Sequence, residues 1–435
     1  MKWILTFGAF LFIFLFPHQV GAEGDLQQLI NEVGVNDVLQ LEDRTYEGNI
    51  AIDKPITIKG SEGTVIRGNE TGNVIMINAD HVNLEQLQIE NSSFSRNDEE
   101  EYSGVKVYSN DNVMKNLTII DAYHGIYLSQ SHRNTIENVT IYGQKDQDSV
   151  GAQGNGIQVY YSHENILKGN RIESTRDGIY FEYADENQIY ENAIRHTRYG
   201  LHYMYSNKNI FKQNIFTFNI GGAAVMHSSE NVFLENTFSM NQSSRSFGFL
   251  LQTSSDNLIE GNHFLQNKRG LLIEHSQNNL ILNNEFSQND IGIELWASAR
   301  DQVFSENSFH KNKLPVIRAG GHSENEWSKG GRGNNWGSDF PLLDLYQTGV
   351  GDFAVTYDSS LHELVEENEF VYLFMHSPSI VIYEKLNQWT NNQETMFQDD
   401  FPLQQNRRGI SFVPISIAFL LVSGMIFVRQ KRRVA

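Results

Sequence analysis

The sequence contains no cysteine among its 435 residues. This absence excludes disulfide bonds, thiolate metal sites, cysteine nucleophiles and a lipidated cysteine as a membrane anchor. Histidine and methionine are both present, with 14 and 9 copies. A soft metal bound to this chain must therefore be held by imidazole and thioether groups.

Basic residues are also in short supply, with 33 Lys and Arg against 53 Asp and Glu and a net charge of −20. Such a surface repels nucleic acid and polyanionic polysaccharides, and it suits a cation or a basic partner. Glycine-rich phosphate loops, zinc signatures and serine-triad motifs are missing too. We therefore predict a protein that binds no nucleic acid and has no enzymatic activity of its own.

Two apolar segments lie at the ends of the chain. Residues 1–22 combine Lys2, a short apolar core and a final small residue, as a secretory signal peptide does. Residues 410–428 run for 19 residues without a charge and are followed by four cations. This pattern predicts a transmembrane helix at 409–428 and a cytoplasmic tail at 429–435. The rest is then extracytoplasmic and anchored to the membrane.

The middle of the chain repeats with a period of about 22 residues. Glycines mark equivalent positions of successive units: Gly156, Gly178, Gly200, Gly222, Gly248, Gly270 and Gly292. A period of this length indicates a solenoid or a propeller. Apolar residues alternate after each glycine, which is typical of β-strands, and the strands are too short for propeller blades.

Other residues recur at fixed distances from these glycines. One asparagine series comprises Asn165, Asn187, Asn209, Asn231, Asn257 and Asn279, and a second comprises Asn170, Asn192, Asn214, Asn236, Asn262 and Asn284. A third series carries aromatic core residues, namely Phe216, Phe238, Phe264 and Phe286. Identical residues in register predict stacked turns about 4.8 Å apart, with asparagine amides bonded along the stack. We also expect asparagine to occupy the left-handed turns between strands.

The predicted fold is therefore all-β, a right-handed parallel β-helix over residues 23–320. Its open ends need covers. Apolar residues on one face of a helix within 24–33 would form an N-terminal helical cap. The segment 321–405 breaks the period and is predicted to form a C-terminal cap and a docking region, with Trp327 and Trp336 as its apolar plug.

Several segments of the sequence resemble those of a known family. The opening "LEDRTYEGNIAIDKPITIKGSEGTVIRGN" and the 22-residue turns are followed by "GNNWGSDF", "GVGD" and "HSPSIVIYEKLNQW". Together they resemble NosD, the family of nitrous oxide reductase maturation proteins. The resemblance covers about residues 25–385 and implies a right-handed β-helix of the carbohydrate-binding and sugar-hydrolase type. It also implies copper as the metal, and as partners an ABC transporter and nitrous oxide reductase or a copper chaperone.

One part of the repeat carries candidate metal ligands. His202 and Met204 stand two and four residues after a repeat glycine, so both point outward from the same strand. Met226 holds the position of Met204 one turn later, and His227 follows it. Two thioethers about 5 Å apart with nearby imidazoles form a ligand set that Cu(I) accepts. We predict a metal site at His202, Met204, Met226 and His227.

Alternative interpretations of this face remain open. The same residues serve equally well as plain surface or as partner contacts, since methionine is common at interaction surfaces. Tyrosines flank the groove, namely Tyr160, Tyr161, Tyr180, Tyr183 and Tyr205, and aromatic rings suit sugar faces. The competing hypothesis is thus a cell-surface protein that binds or modifies polysaccharide, with Glu274 and Glu294, on adjacent turns, as a candidate pair of catalytic carboxylates.

Overall fold

The computed structural model describes residues 26–94, 100–144, 153–321, 324–338, 340, 342–361, 364, 370–374, 377–390 and 392–404. Within these residues, three parallel sheets of 12 strands each wind into a β-helix of 12 turns. The prediction of an all-β parallel β-helix of the right-handed type is confirmed. The predicted signal peptide, transmembrane helix and cytoplasmic tail lie outside the described residues. Among those described, no helix has the length and hydropathy to cross a membrane.

Each turn contributes one strand to each sheet. The strands of sheet 1 are Val38–Gln40, Thr57–Lys59, Asn83–Glu85, Val113–Lys115, Thr135–Glu137, Ile166–Lys168, Gln188–Tyr190, Ile210–Lys212, Val232–Leu234, Leu258–Glu260, Leu280–Leu282 and Val303–Ser305. The strands of sheet 2 are Thr45–Glu47, Val65–Arg67, Gln88–Glu90, Thr118–Ile120, Thr140–Tyr142, Arg171–Glu173, Ala193–Arg195, Ile215–Thr217, Thr237–Ser239, His263–Leu265, Glu285–Ser287 and Ser308–His310. The strands of sheet 3 are Ile50–Ile52, Ile75–Ile77, Ser103–Val107, His124–Ser129, Ile157–Tyr160, Asp177–Glu182, Tyr199–Met204, Gly221–Met226, Phe247–Gln252, Arg269–Glu274, Ile291–Trp296 and Leu314–Ala319.

The remaining described elements lie at the two ends. Helix α1 spans Leu26–Glu32, α2 spans Val371–Phe374 and α3 spans Pro378–Thr390. Strands Val355–Ser359 and Glu394–Asp399 pair antiparallel in a separate two-stranded sheet.

Stacked aromatic rings fill the core behind sheet 2. Phe216, Phe238, Phe264 and Phe286 follow one another with ring centroids 4.7–5.2 Å apart. All four side chains are fully buried. Because each ring meets its copy in the next turn, the register of the turns is fixed by core packing as well as by hydrogen bonds. The predicted phenylalanine series is confirmed.

Asparagine ladders run along the corners of the β-helix. The amide oxygen of Asn231 accepts the backbone N–H of Asn209 at 3.0 Å, and the amide oxygen of Asn257 accepts that of Asn231 at 3.0 Å. Both predicted asparagine series form such ladders. A third ladder, not predicted from the sequence, comprises Asn219, Asn241, Asn267 and Asn289. These buried amides satisfy backbone groups that the corners would otherwise leave unpaired.

The expectation that asparagine occupies left-handed turns is confirmed outside the ladders, for example at Asn116, Asn138 and Asn283. The ladder asparagines themselves do not adopt this conformation. At the corner of the first ladder the left-handed residues include Lys208, Glu230, Asp256 and Asn278, with φ of 57–59°. Each of these exposed residues directly precedes a ladder asparagine, whose side chain then points inward.

The repeat glycines mark a close approach between turns. A Cβ atom on Gly222 would lie 2.2 Å from the carbonyl oxygen of Gly248 in the next turn. The ring of Phe238 is 3.1 Å from the same point. Any side chain would push adjacent turns apart, so the glycine series follows from stacking in sheet 3.

The two ends are closed differently. At the start, α1 buries Leu26 and Ile30, and the Gln27 side chain exchanges two hydrogen bonds with the backbone of Ala51 at 2.8 and 2.9 Å. This cap is only seven residues long, shorter than the predicted helix within 24–33. The Gln27 side chain completes it by making the backbone hydrogen bonds to Ala51 that a neighbouring strand would make.

At the other end, the predicted tryptophan plug is confirmed. Trp327 stacks on Phe304 at 4.5 Å and Trp336 on Phe309 at 4.4 Å, continuing the core columns. The Trp336 indole N–H donates to Asp399 at 2.9 Å. Burial raises the pKa of the Asp399 carboxyl above its usual range.

Candidate functional site

The outer face of sheet 3 carries the predicted ligands. Its strands alternate, so every second side chain points away from the core. One outward column contains a single residue from each of nine successive strands, paired in register. Its members are Lys106, Tyr127, Gln158, Tyr180, His202, Ala224, Leu250, Leu272 and Glu294. This column is polar as far as His202 and apolar from Ala224 to Leu272. The candidate ligands lie at the boundary between the polar and the apolar part of sheet 3, around His202 and Ala224.

Met204 and Met226 are direct neighbours across two strands of sheet 3. Both side chains are half-buried. Met226 packs against an apolar cluster on the outer face that includes Ala224, Phe247 and Leu250. The structure thus brings the two predicted thioethers together on adjacent turns, with one side of the pair covered by apolar side chains.

His202 is held by a buried ion pair. Its Nδ1 lies 2.9 Å from an Asp177 carboxylate oxygen, and Arg198 contacts the same carboxylate through two nitrogens at 2.8 and 2.5 Å. Nη2 of Arg198 also lies 3.2 Å from Nδ1 of His202. Because a carboxylate can only accept, the shorter contact with Asp177 favours the tautomer with the proton on Nδ1, which leaves Nε2 as the ring nitrogen that could bind a ligand. Burial alone would raise the pKa of the Asp177 carboxyl, but hydrogen bonds from His202 and Arg198 keep it below its usual range.

Tyr180 contacts both His202 and Met204, and its ring centroid lies 4.8 Å from that of the His202 imidazole. Its hydroxyl lies 3.8 Å from the Met204 sulfur and 3.2 Å from a Glu182 carboxylate oxygen. Burial, together with Glu182, raises the pKa of the Tyr180 phenol. The phenol therefore stays protonated and can donate to the Glu182 carboxylate or to the Met204 sulfur.

His227 lies apart from His202. It occupies a corner with φ of 51° and stacks on Tyr205 with centroids 4.9 Å apart. Tyr205 in turn stacks on Tyr183 at 5.1 Å, and Tyr183 on Tyr161 at 4.7 Å. Tyr183 and Tyr205 therefore each have an aromatic ring stacked on both sides, so their ring faces are not open to a sugar. A groove of about 550 Å³ on this face is lined by Asp177 and His202 among others, and of the flanking tyrosines only Tyr160 and Tyr180 line it.

The candidate catalytic carboxylates Glu274 and Glu294 are bonded to neighbouring side chains of sheet 3. Glu294 is fully buried, accepts a hydrogen bond from the Trp296 indole at 3.2 Å and lies 3.7 Å from Arg269. Glu274 accepts from Gln252 at 3.0 Å. The structure does not present the two as a pair open to a substrate.

Hard-ligand metal sites find no support in the part of the chain that the structure describes. No group of three or more His, Asp and Glu side chains there is placed to hold a metal ion. The stacked imidazoles of His132 and His163 each accept a backbone N–H through Nδ1, at 3.1 and 3.0 Å, as asparagine does elsewhere at that corner. Thioethers with one imidazole are the donor set that fits a soft ion such as Cu(I).

Comparison with solved structures shows the fold. The chain is similar to the family 28 exopolygalacturonase of Yersinia enterocolitica, with a TM-score of 0.50, 11% identity and coverage of 70% of this chain and 74% of that one. It is also similar to the periplasmic alginate epimerase AlgG, with a TM-score of 0.51, 15% identity and coverage of 70% and 82%.

Sequence relatives are more specific. Residues 143–340 match a family described as "Periplasmic copper-binding protein (NosD)". A "Probable ABC transporter binding protein NosD" of Pseudomonas aeruginosa is 34% identical over 351 residues, covering 77% of this chain and 80% of that protein. A protein of the same description from Stutzerimonas stutzeri is 36% identical over 92 residues, and that match spans only 21% of either chain. With the extensive relative matching across most of both lengths, the chain belongs to the NosD family.

Proposed function

We propose that this protein assists copper-site maturation of nitrous oxide reductase outside the cytoplasm, together with an ABC transporter. The observation that carries the proposal is the paired Met204 and Met226 beside the oriented imidazole of His202. It occurs in a chain without cysteine, within a family described as periplasmic and copper-binding.

Copper would supply no catalysis here, because it is the cargo. The two thioethers offer soft donors, and Nε2 of His202 offers a third, while Asp177 fixes the ring through Nδ1. The donors face outward from a rigid sheet, so a partner protein can approach and exchange ligands one at a time. His227, stacked on Tyr205, is the member of the predicted set that the geometry favours least.

The reductase itself provides the test. Deleting the gene is expected to leave nitrous oxide reductase present but deficient in copper and inactive, because the extracytoplasmic copper partner is missing. Complementation with the parent gene restores copper content, and complementation with Met204→Leu/Met226→Leu does not. Copper per reductase is measured by mass spectrometry on purified enzyme. A fully copper-loaded, active reductase in the deletion strain would refute the proposed function.

The transporter is proposed to dock at α3. One side of this helix is fastened to the cap, where Ile380 and Tyr383 pack on the core and Glu384 accepts a hydrogen bond from Ser359 at 2.7 Å. The opposite face is apolar and exposed, with Ile382 58%, Leu386 51% and Trp389 79% accessible. Large exposed apolar faces mark interaction sites, and the matched relatives are described as transporter-binding.

Replacing Leu386 and Trp389 by serine is therefore expected to reduce co-purification with the permease at least tenfold, because a tryptophan that becomes buried in an interface contributes about 2 kcal/mol or more to binding. The matched control replaces Ile215 and Phe218, exposed on the β-helix wall, by serine and should leave association unchanged. Equal recovery of the permease with the α3 variant would show that α3 is not the docking surface.

A further inference from the structure

The outer face of sheet 1 changes character along the β-helix. In its early turns the third residue of each strand is charged and pairs along the stack, with Glu85 lying 3.8 Å from Lys59 and 3.0 Å from Lys115. Later turns are largely apolar. Over five consecutive turns in register, the first residue of each strand is Gln188, Ile210, Val232, Leu258 and Leu280. The third residue, which also points outward, is Tyr190, Lys212, Leu234, Glu260 and Leu282.

The apolar members of these two columns form a continuous stripe on the surface. Ile210 is 36% exposed. The half-buried members are Val232, Leu234, Leu258, Leu280 and Leu282. No apolar cluster among the described residues includes any of them. From Ile210 to Leu280 the stripe is about 14 Å long at about 4.8 Å per turn. Single exposed apolar residues are ordinary, whereas a continuous patch marks an interaction surface.

Charges of opposite sign border the stripe at equal distances from its centre. On the strands, Lys212 lies one turn before Leu234, and Glu260 lies one turn after it. At the preceding corner, the exposed residues Lys208 and Asp256 occupy the same two turns. Reading the turns in the opposite direction therefore exchanges the signs. This is the pattern of a surface that is complementary to a second copy of itself.

We propose that this stripe binds a second copy of the chain with its β-helix axis antiparallel. The two-fold axis runs parallel to the strands of sheet 1 through Val232, so the order of the turns is inverted while the position along each strand is kept. Lys212 then faces Glu260 of the partner subunit. Ile210 faces Leu258 of the partner subunit. Each contact occurs twice, because such an interface uses the same surface on both subunits.

The charges select this arrangement over a parallel one. A two-fold axis along the β-helix would keep each turn opposite itself. Lys212 would then lie on Ile210 of the partner subunit, and Glu260 would lie on Leu258 of the partner subunit. Both charges would be buried against apolar side chains without an opposite charge, which is costly. The antiparallel arrangement instead joins apolar to apolar and cation to anion.

Like charges meet only at the rim of the antiparallel pair among these described positions. Glu230 and Glu235 lie in the turn of the axis and face their own copies. Both are exposed corner residues, where water and salt screen repulsion. Glu235 also lies 3.9 Å from Lys212 of its own chain. The interface thus has an apolar centre, flanking Lys212–Glu260 pairs and a solvated rim.

The pairing uses sheet 1, whereas the methionine pair lies on sheet 3, so the inference does not rest on copper binding. The two C-terminal ends point in opposite directions. Chains anchored to a membrane there would lie with their β-helix axes along its surface.

Cysteine cross-linking tests the contact, because the chain has no cysteine of its own. Val232→Cys lies on the axis, and sheets packed face to face are about 10 Å apart, within reach of a short bis-maleimide. The purified protein with this substitution should cross-link to a dimer. The matched control is Ile215→Cys, exposed on sheet 2, which should remain monomeric. Equal yields of dimer from the two variants, or none from either, would refute the interface.

Charge exchange tests the direction of pairing by sedimentation equilibrium. The parent should sediment as a dimer. Lys212→Glu should raise the dissociation constant about tenfold or more, because two like-charge contacts replace two attractive ones. Lys212→Glu/Glu260→Lys should restore the dimer, since each pair across the interface is opposite again. Circular dichroism and melting temperature establish that each variant is folded. A monomeric parent would overturn the proposal, and a double variant no tighter than Lys212→Glu would overturn the antiparallel register.

Discussion

Replacing Met204 and Met226 together by leucine is expected to abolish Cu(I) binding while the β-helix stays folded. Both soft donors are lost, and in a chain without cysteine no thiolate can take their place. Leucine conserves volume and keeps the contact of position 226 with the apolar cluster of Ala224, Phe247 and Leu250. The stability cost should stay below about 1.5 kcal/mol. Titration of the purified protein with Cu(I) against a competing chelator measures the effect directly.

The effect of histidine substitutions on Cu(I) affinity shows which imidazoles contribute to the site. His202→Ala should weaken Cu(I) binding without abolishing it, because the two thioethers remain. His310→Ala, on the far part of sheet 2, should have no effect. For His163 the appropriate control is His163→Asn, since the imidazole accepts the backbone N–H of Asp185 and asparagine can do the same. If the double leucine variant binds copper as tightly as the parent, the metal assignment at Met204 and Met226 is wrong.

Asn231→Ala is expected to destabilise the β-helix by about 3–5 kcal/mol, because several buried polar groups lose their partners at about 1–3 kcal/mol each. The amide oxygen of Asn231 accepts from the Asn209 backbone at 3.0 Å and from the Tyr203 hydroxyl at 2.6 Å. Its NH₂ group donates to Asn257 at 3.0 Å and to the Ser206 carbonyl at 3.3 Å. All of these groups are buried, so water cannot replace the lost bonds.

The measurement is the denaturation midpoint in urea, supported by amide hydrogen exchange around the substituted turn. Asn283→Ala is the matched control. Asn283 is an exposed corner residue with φ of 55°, and its replacement should cost only about 1 kcal/mol, from the left-handed backbone. Similar midpoints for the two variants would show that the buried amide ladder does not hold the turns together.

Much of this fold is predictable because its stabilising contacts join identical residues. When Phe238 stacks on Phe264, or Asn231 bonds to Asn257, the contact appears in the sequence as a repeat at fixed spacing. The third asparagine ladder was visible in the same way, nineteen residues after the glycines, and was overlooked. The close approach at Gly222 was marked by the glycine series, but its cause is visible only in three dimensions.

The candidate site was predictable only in part. Met204 and Met226 share an offset, so their pairing followed from the register. Asp177 and Arg198 were missed because the positions before the repeat glycine vary from turn to turn, with Tyr199, Gly221 and Phe247 aligned to Asp177. The separation of His227 from His202 was missed too, since the stack on Tyr205 depends on a left-handed corner that periodicity does not reveal.

Because the turns repeat, the number of turns sets the distances between surface features along the β-helix. The methionine pair and the tryptophan plug are separated by whole turns, because each occupies a defined stretch of one continuous stack. Duplication or loss of one 22-residue unit between them would move these two features apart or together by a single step of about 4.8 Å while preserving the register of every ladder. Evolution can thus set the distance between the methionine pair and the C-terminal end of the β-helix by the number of units, without changing either surface.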